Sequence, residues 1–365
     1  MSETNQAGAL GQSYSSADRM IHKIATGQLD MQRMLAGLED KMFASRIEGV
    51  APGAPVFVTS LPRAGTTLLL EVLAEEPGLI SHTYRQMPFL LCPLIWDRLT
   101  RRSQKKAEAR ERAHGDGMQV SFDSVEAFEE MIWRAFWPER FETARIRPWT
   151  PKTKDLGFTP FMQRHFTKLI ALNGRREGRY LSKNNANIAR LAWLRRAFPD
   201  ATILIPYRDP VAHIRSMLRQ HRQFLQAHGE DKFILAYMES IGHLEFGLAH
   251  RPIDFGGWLR EVQGLDPTSE AYWATYWCAA MESVLDAAAE DPGTHILSYD
   301  TLCSTPEPGL AKLSDLLGIE GAALKASAGR FRAPTRHGAE GLAIDPALST
   351  RVAEAADRLA EASMI

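Results

Sequence analysis

Residues 55–76 read PVFVTSLPRAGTTLLLEVLAEE. Val56-Phe57-Val58 is a short β-branched and aromatic run between a proline and polar residues, the mark of a buried strand. Pro62 and Gly65 break it into a loop, and Thr66–Glu76 is rich in helix formers and stops before Pro77, which predicts a helix over 66–76. A strand that ends in such a loop and opens a helix aims several backbone N–H groups at one spot, where the helix dipole also favours negative charge. The stretch therefore reads as an anion cradle. Ala64, Gly65, Thr66, Thr67 and Leu68 supply the backbone. Gly65 permits close approach, Arg63 can form a bidentate pair with an oxyanion, and the Thr66 and Thr67 hydroxyls add donors.

The same strand-to-helix grammar returns at residues 201–224, ATILIPYRDPVAHIRSMLRQHRQF. Asp209 can cap a helix whose first position is Pro210. Ser216 lies about two turns beyond Asp209, on the face that looks back at Arg208 at the strand end. An arginine and a hydroxyl converging there would hold a second phosphate, although Arg208 taken alone reads equally as a surface ion pair. Leu79–His82, Arg179–Lys183 and His295–Tyr299 are further short strands. Apolar strands alternating with helices predict an α/β fold, a P-loop-type parallel sheet with helices on both faces, whose ligand sits beyond the carboxyl ends of the strands.

Composition sets the class. The 43 Lys+Arg nearly cancel the 44 Asp+Glu, which argues against nucleic-acid binding through bulk positive charge. With 45% hydrophobic and 24% charged residues the chain can build a real core, and 365 residues exceed the usual single-core size. We expect a disordered lead over 1–16, N-terminal helices over 17–50 packed on the main body through residues such as Met31, Met34 and Leu38, and one domain over 51–365. Two helical insertions, at about 98–150 and 222–290, would shape an acceptor pocket. The first opens with the basic run Arg98–Arg112, either a solvated helix face or a surface for an acidic acceptor. In the second, Trp273 and Trp277 read as core. Cys92, Cys278 and Cys303 show no pairing pattern, which fits a reducing compartment, and no secretory signal or membrane span is evident, so a cytoplasmic location is expected.

The first cradle is not the triphosphate loop GxxxxGK[ST]. Thr66 stands where that loop holds lysine, and Ser60 where its first glycine would be. A metal-dependent kinase or nucleotidase is therefore disfavoured, and no metal site is expected. Two anion sites at two strand ends suit a nucleotide with groups at both its 5′ and 3′ carbons.

SLPRAGTTLL resembles the 5′-phosphosulfate loop of sulfotransferases that use 3′-phosphoadenosine 5′-phosphosulfate (PAPS), and YRDPVAHIRSM resembles their 3′-phosphate strand and helix. YLSKNNANIARLAWLRRAFPDATILIPYRDP is similar to the tyrosylprotein-sulfotransferase-like and bacterial branch, and ILSYDTLCSTPEPGLAKLSDLLGI to the family's late strand and helix. The resemblance implies sulfuryl transfer to a hydroxyl of a small-molecule or peptide acceptor. It implies that Lys183 lies near the scissile sulfate bond and that Tyr299 is an aromatic near the nucleotide. In those branches a glutamate base follows the second strand, but here the stretch is SHTYRQMP. His82 is the nearest titratable replacement, with His114, Glu129 and Glu130 as rivals. A nucleotide sensor that keeps the cradles without chemistry is the other alternative.

Overall fold

A computed structural model of the chain describes Gly27 and residues 29–100, 110–111, 119–120, 128–332 and 341–365. The lead 1–16, His114 and most of the basic run 98–112 lie outside the described residues, as does most of the N-terminal helical region before Leu29.

Five strands, β1 (Ala51–Val58), β2 (Leu79–Ile80), β3 (Glu177–Lys183), β4 (Thr202–Tyr207) and β5 (Thr294–Ser298), form one sheet in the order β2-β3-β1-β4-β5. Every pair is parallel. The helices that frame the site are α1 (Leu29–Met42), α2 (Thr66–Leu73), α3 (Glu130–Phe136), α4 (Phe158–Leu172), α5 (Pro210–Glu230), α6 (Lys232–Ile241), α7 (Glu270–Glu290) and α8 (Pro306–Leu317).

The sheet divides two cores because successive strand residues point to opposite faces. Val56 and Val58 of β1 pack with Leu69, Leu70 and Leu73 of α2 and Leu310 and Leu313 of α8. Phe57 joins the larger core on the other face, with Leu169 of α4, Ile214 of α5 and Trp273 and Trp277 of α7. Both of these tryptophans are fully buried, as expected of core. β3 and β4 flank β1, so the carboxyl ends of these three strands meet at one edge of the sheet.

Several boundaries differ from the sequence expectation. α2 ends at Leu73, three residues early. β2 ends at Ile80 because Thr83 and Gln86 form a capping box that turns the chain into a short 3-10 helix, Tyr84–Gln86. β5 stops at Ser298, whose hydroxyl caps the next helix by accepting from Thr301 N–H, so Tyr299 opens that helix.

The apolar stripe of α1 is also placed otherwise than expected. Met34, Leu38 and Met42 are exposed, whereas Gln32, Ala36 and Glu39 face the body. Polar anchors decide the orientation. Gln32 bonds the Pro88 carbonyl and the Leu91 N–H, and Glu39 accepts from Ile95 N–H and pairs with Lys168 at 2.8 Å. Burial pushes the Glu39 carboxyl up from its ordinary range, and Lys168 opposes that shift.

Candidate active site

The loop after β1 is bent by two left-handed residues, Arg63 at φ 73° and Gly65 at φ 93°. Arginine at such a φ is strained by roughly 1–2 kcal/mol, so the surroundings must hold it there. They do so from three sides. His213 Nε2 lies 2.9 Å from the Pro62 carbonyl, Arg208 Nη1 donates to the Arg63 carbonyl at 3.4 Å, and Thr59 N–H donates to the Leu204 carbonyl. Trp277 Nε1–H donates to His213 Nδ1 at 3.2 Å, so the proton of this imidazole sits on Nε2 and is given to Pro62. Burial lowers the His213 pKa to about 3, which keeps the ring neutral and the arrangement intact.

Gly65 is required twice. Its φ suits glycine, and a Cβ there would come within 2.2 Å of Tyr299 Cδ2, so the Tyr299 ring lies directly against the loop. Arg63 Nε donates to Ser216 Oγ at 3.3 Å. The two cradles read from sequence are thus one site, with Arg63, Arg208 and Ser216 converging although they come from separate elements. Asp209 caps α5 by accepting from Ala212 N–H at 2.8 Å, as expected, and this orients the helix that carries Ser216.

A cleft opens beside the loop. Arg63, Thr66, Thr67 and Lys183 border it on the sheet side, and Phe224, Met238 and Phe246 on the other. Lys183 closes β3, paired in register with Val58, which puts it next to the start of the loop. Asn185, two residues on, ties these parts together: Thr66 Oγ1–H donates to its Oδ1 at 3.1 Å and Thr59 Oγ1–H to its carbonyl at 3.2 Å.

The donor set fits an anionic nucleotide. Arg208 Nε and Ser60 Oγ are buried and have no hydrogen-bond partner among the described residues, and a buried donor of this kind is costly unless a ligand satisfies it. Among the described residues no group of three or more His, Cys, Asp or Glu side chains is placed to hold a metal ion. No helix among them is long and apolar enough to cross a membrane.

His82 does not face the cleft, contrary to the sequence expectation. It is 2% exposed, and both of its nitrogens are engaged. Tyr180 OH gives its single proton to Glu129 Oε2 at 2.8 Å, so His82 Nδ1–H, 3.1 Å away, must donate to the Tyr180 oxygen. His82 Nε2 then accepts from His165 Nε2–H at 2.8 Å. Burial lowers the His82 pKa to about 4. With its lone pair used inside the protein, His82 is not placed to take an acceptor's proton.

The rival carboxylates are structural as well. Glu129 also accepts from Ser182, Trp133 and Asn187. Glu130 is paired with Arg190 at 2.6 Å, and that guanidinium is stacked 4.0 Å from the Trp133 ring and 4.4 Å from Trp149. Burial pushes the Glu130 carboxyl up, against the pull of Arg190.

Sequence reasoning missed Asn185, His213, His243 and Glu245. The last two border the cleft. The one local sign was Gly242, a helix-stopping residue directly before His243.

The comparisons agree with this geometry. A family model described as Sulfotransferase family matches residues 55–245, just over half of the chain. No curated protein sequence matches. The crystal structure of sulfotransferase STF9 from Mycobacterium avium superposes with a TM-score of 0.50 at 13% identity, covering 87% of this chain and 80% of that one. Sulfotransferase STF1 from Mycobacterium tuberculosis H37Rv superposes with a TM-score of 0.48 at 14% identity, covering 99% of each. The match across both cradles and the strand between them shows that the chain belongs to the sulfotransferase family, enzymes that move a sulfuryl group from PAPS to an acceptor.

Proposed function

We propose that this chain binds PAPS across the joined cradles and transfers its sulfuryl group to a hydroxyl on a small-molecule or peptide acceptor with an apolar body. The observation that carries this reading is the convergence of Arg63, Arg208 and Ser216 beside a cleft that also holds Lys183.

Each residue has a distinct task. Arg63 and the N–H groups of Ala64 to Leu68 hold the 5′-phosphate, and Arg208 and Ser216 hold the 3′-phosphate. The Tyr299 ring, packed against Gly65, borders the nucleotide. Lys183 is placed to stabilise charge that develops on the bridging oxygen, a role worth most where water is excluded. A sulfuryl group carries less charge than a phosphoryl group and the loop has Thr66 instead of the triphosphate lysine, so no metal is required. Phe224, Met238 and Phe246 are buried side chains on the far wall, suited to an apolar acceptor body. Three buried, unpaired cysteines suit a reducing compartment, so the cytoplasm is the proposed location.

The test is incubation with PAPS and a metabolite extract without added metal, followed by a mass search for sulfated products, alongside nucleotide titration. Sulfated products and much tighter binding of 3′-phosphoadenosine 5′-phosphate (PAP) than of AMP are expected. Equal affinity for the two nucleotides would overturn the cradle assignment, and binding without product would leave a sensor.

A further inference from the structure

His243 and Glu245 border the same cleft as Lys183 and Arg63, and none of the tasks above uses them. The chain is built to put His243 there. α6 ends at Gly242, which adopts φ 85°, and the last turn is locked by Gly242 N–H donating to the Glu239 carbonyl and His243 N–H donating to the Met238 carbonyl at 2.9 Å. A Cβ on residue 242 would come within 2.8 Å of Glu130 Cγ, so the backbone is pinned against α3 where His243 leaves the helix.

Behind the imidazole stands a carboxylate. His243 Nδ1 lies 3.7 Å from Glu245 Oε2, within ion-pair reach though too long for a hydrogen bond. The other oxygen of Glu245 accepts from Asn185 Nδ2 at 3.4 Å, and Asn185 Oδ1 accepts from the Thr66 hydroxyl. A polar chain therefore runs from the phosphate loop through Asn185 and Glu245 to His243. An imidazole beside a carboxylate on the wall of a substrate cleft is a recurrent arrangement for general bases, and their contacts often tighten only in the substrate complex.

We propose that His243 is the general base for the acceptor hydroxyl and that Glu245 is its positioning residue, an inference that rests on the sulfuryl-transfer reading. The acceptor oxygen forms a bond to sulfur as its proton passes to His243 Nε2. The bond between sulfur and the bridging oxygen breaks, and its electron pair stays on the 5′-phosphate, which leaves as PAP. His243 then returns the proton to solvent. Glu245 favours the imidazolium that forms.

The experiment measures single-turnover transfer from PAPS to two probe acceptors, benzyl alcohol and 4-nitrophenol, at about pH 8, together with PAP affinity and thermal midpoint. The alcohol holds its proton at that pH and needs a base, whereas 4-nitrophenol is already largely ionised. For His243→Gln the rate with benzyl alcohol should fall on the order of 10²- to 10⁴-fold, with less than about tenfold loss for 4-nitrophenol and unchanged PAP affinity.

For Glu245→Gln a smaller loss with benzyl alcohol is expected, seen in kcat rather than KM, with 4-nitrophenol transfer and PAP affinity little changed. Equal losses on both acceptors, or Glu245→Gln as slow as His243→Gln, would overturn the assignment. A wild-type chain that binds no PAP and sulfates neither probe would instead overturn the underlying reading, and this inference with it.

Discussion

Tyr180 and Ser182 of β3 point to one face of the sheet, where both donate to Glu129, while Lys183, the next residue, borders the cleft at the strand's end. Each side gathers ionisable groups from several elements. On the first, Glu129, His82, His165 and Tyr180 bond one another and Glu130 is held by Arg190 and Asn184, with His165 Nδ1 and Arg190 Nη1 left over. On the second, Arg208 Nε and Ser60 Oγ are left without partners among the described residues, and the surrounding side chains open on a cleft. The contrast separates a buried network whose groups mostly bond one another from a set of basic and hydroxyl side chains beside an open cleft, the set proposed above to hold the donor. By residue type alone the first would pass for the catalytic centre.

The sharpest way to break the comparison is to damage the closed side. Arg190→Ala leaves Glu130 buried and uncompensated, and removal of one partner from such a pair costs about 3–5 kcal/mol. Urea denaturation should show that loss, while PAP affinity of the folded fraction stays near wild type. Damage to the open side should do the reverse. Arg208→Ala is expected to weaken PAP by roughly 10- to 100-fold, the equivalent of about 1.5–3 kcal/mol, and AMP by less, since the loop loses only the Arg208 bond to the Arg63 carbonyl, in parallel calorimetric titrations.

Acid should lower stability through buried histidines on the cleft side. Burial holds His213, beside the loop, and His250, against Trp273, near pKa 3, below the unfolded value of 6.5. Because the unfolded chain takes up these protons first, stability is complete above about pH 6.5 and declines as pH falls toward 3, by about 1.4 kcal/mol per unit for each histidine. Thermal midpoints measured between about pH 7 and 5 should fall steadily. The smallest effect is expected for His82→Gln. This variant should unfold more readily yet transfer sulfate within about threefold of wild type, whereas loss of a true base costs about 10²-fold or more.

The fold was legible where its signals are local. The PVFV strand, the glycine loop, the Asp209-Pro210 helix start and the apolar strands each declare themselves within a few residues, and their alternation with helices implies the parallel sheet. The contact of Arg63 with Ser216 was not legible, because it joins two strand-to-helix units that the sequence presents as separate anion sites. His82 was misjudged because closeness in sequence to the end of β2 does not say which side of the sheet the following turn faces. His213 was invisible for another reason: its partners, Pro62 and Trp277, lie far away along the chain. α1 shows the limit of periodicity, since its polar face won through bonds to Pro88, Leu91, Ile95 and Lys168 that no spacing encodes.

The most direct test of the account is Lys183→Ala, measured as a single-turnover rate and as PAP affinity in the same preparation. In the proposed mechanism Arg63 holds a 5′-phosphate that is anionic throughout, whereas the bridging oxygen assigned to Lys183 gains charge only as its bond to sulfur breaks, so Lys183 should act mainly on the transition state. The rate should fall on the order of 10²- to 10³-fold, about 3–4 kcal/mol, with PAP affinity nearly unchanged. Near wild-type transfer combined with weakened PAP binding would contradict the account and make Lys183 a binding residue only.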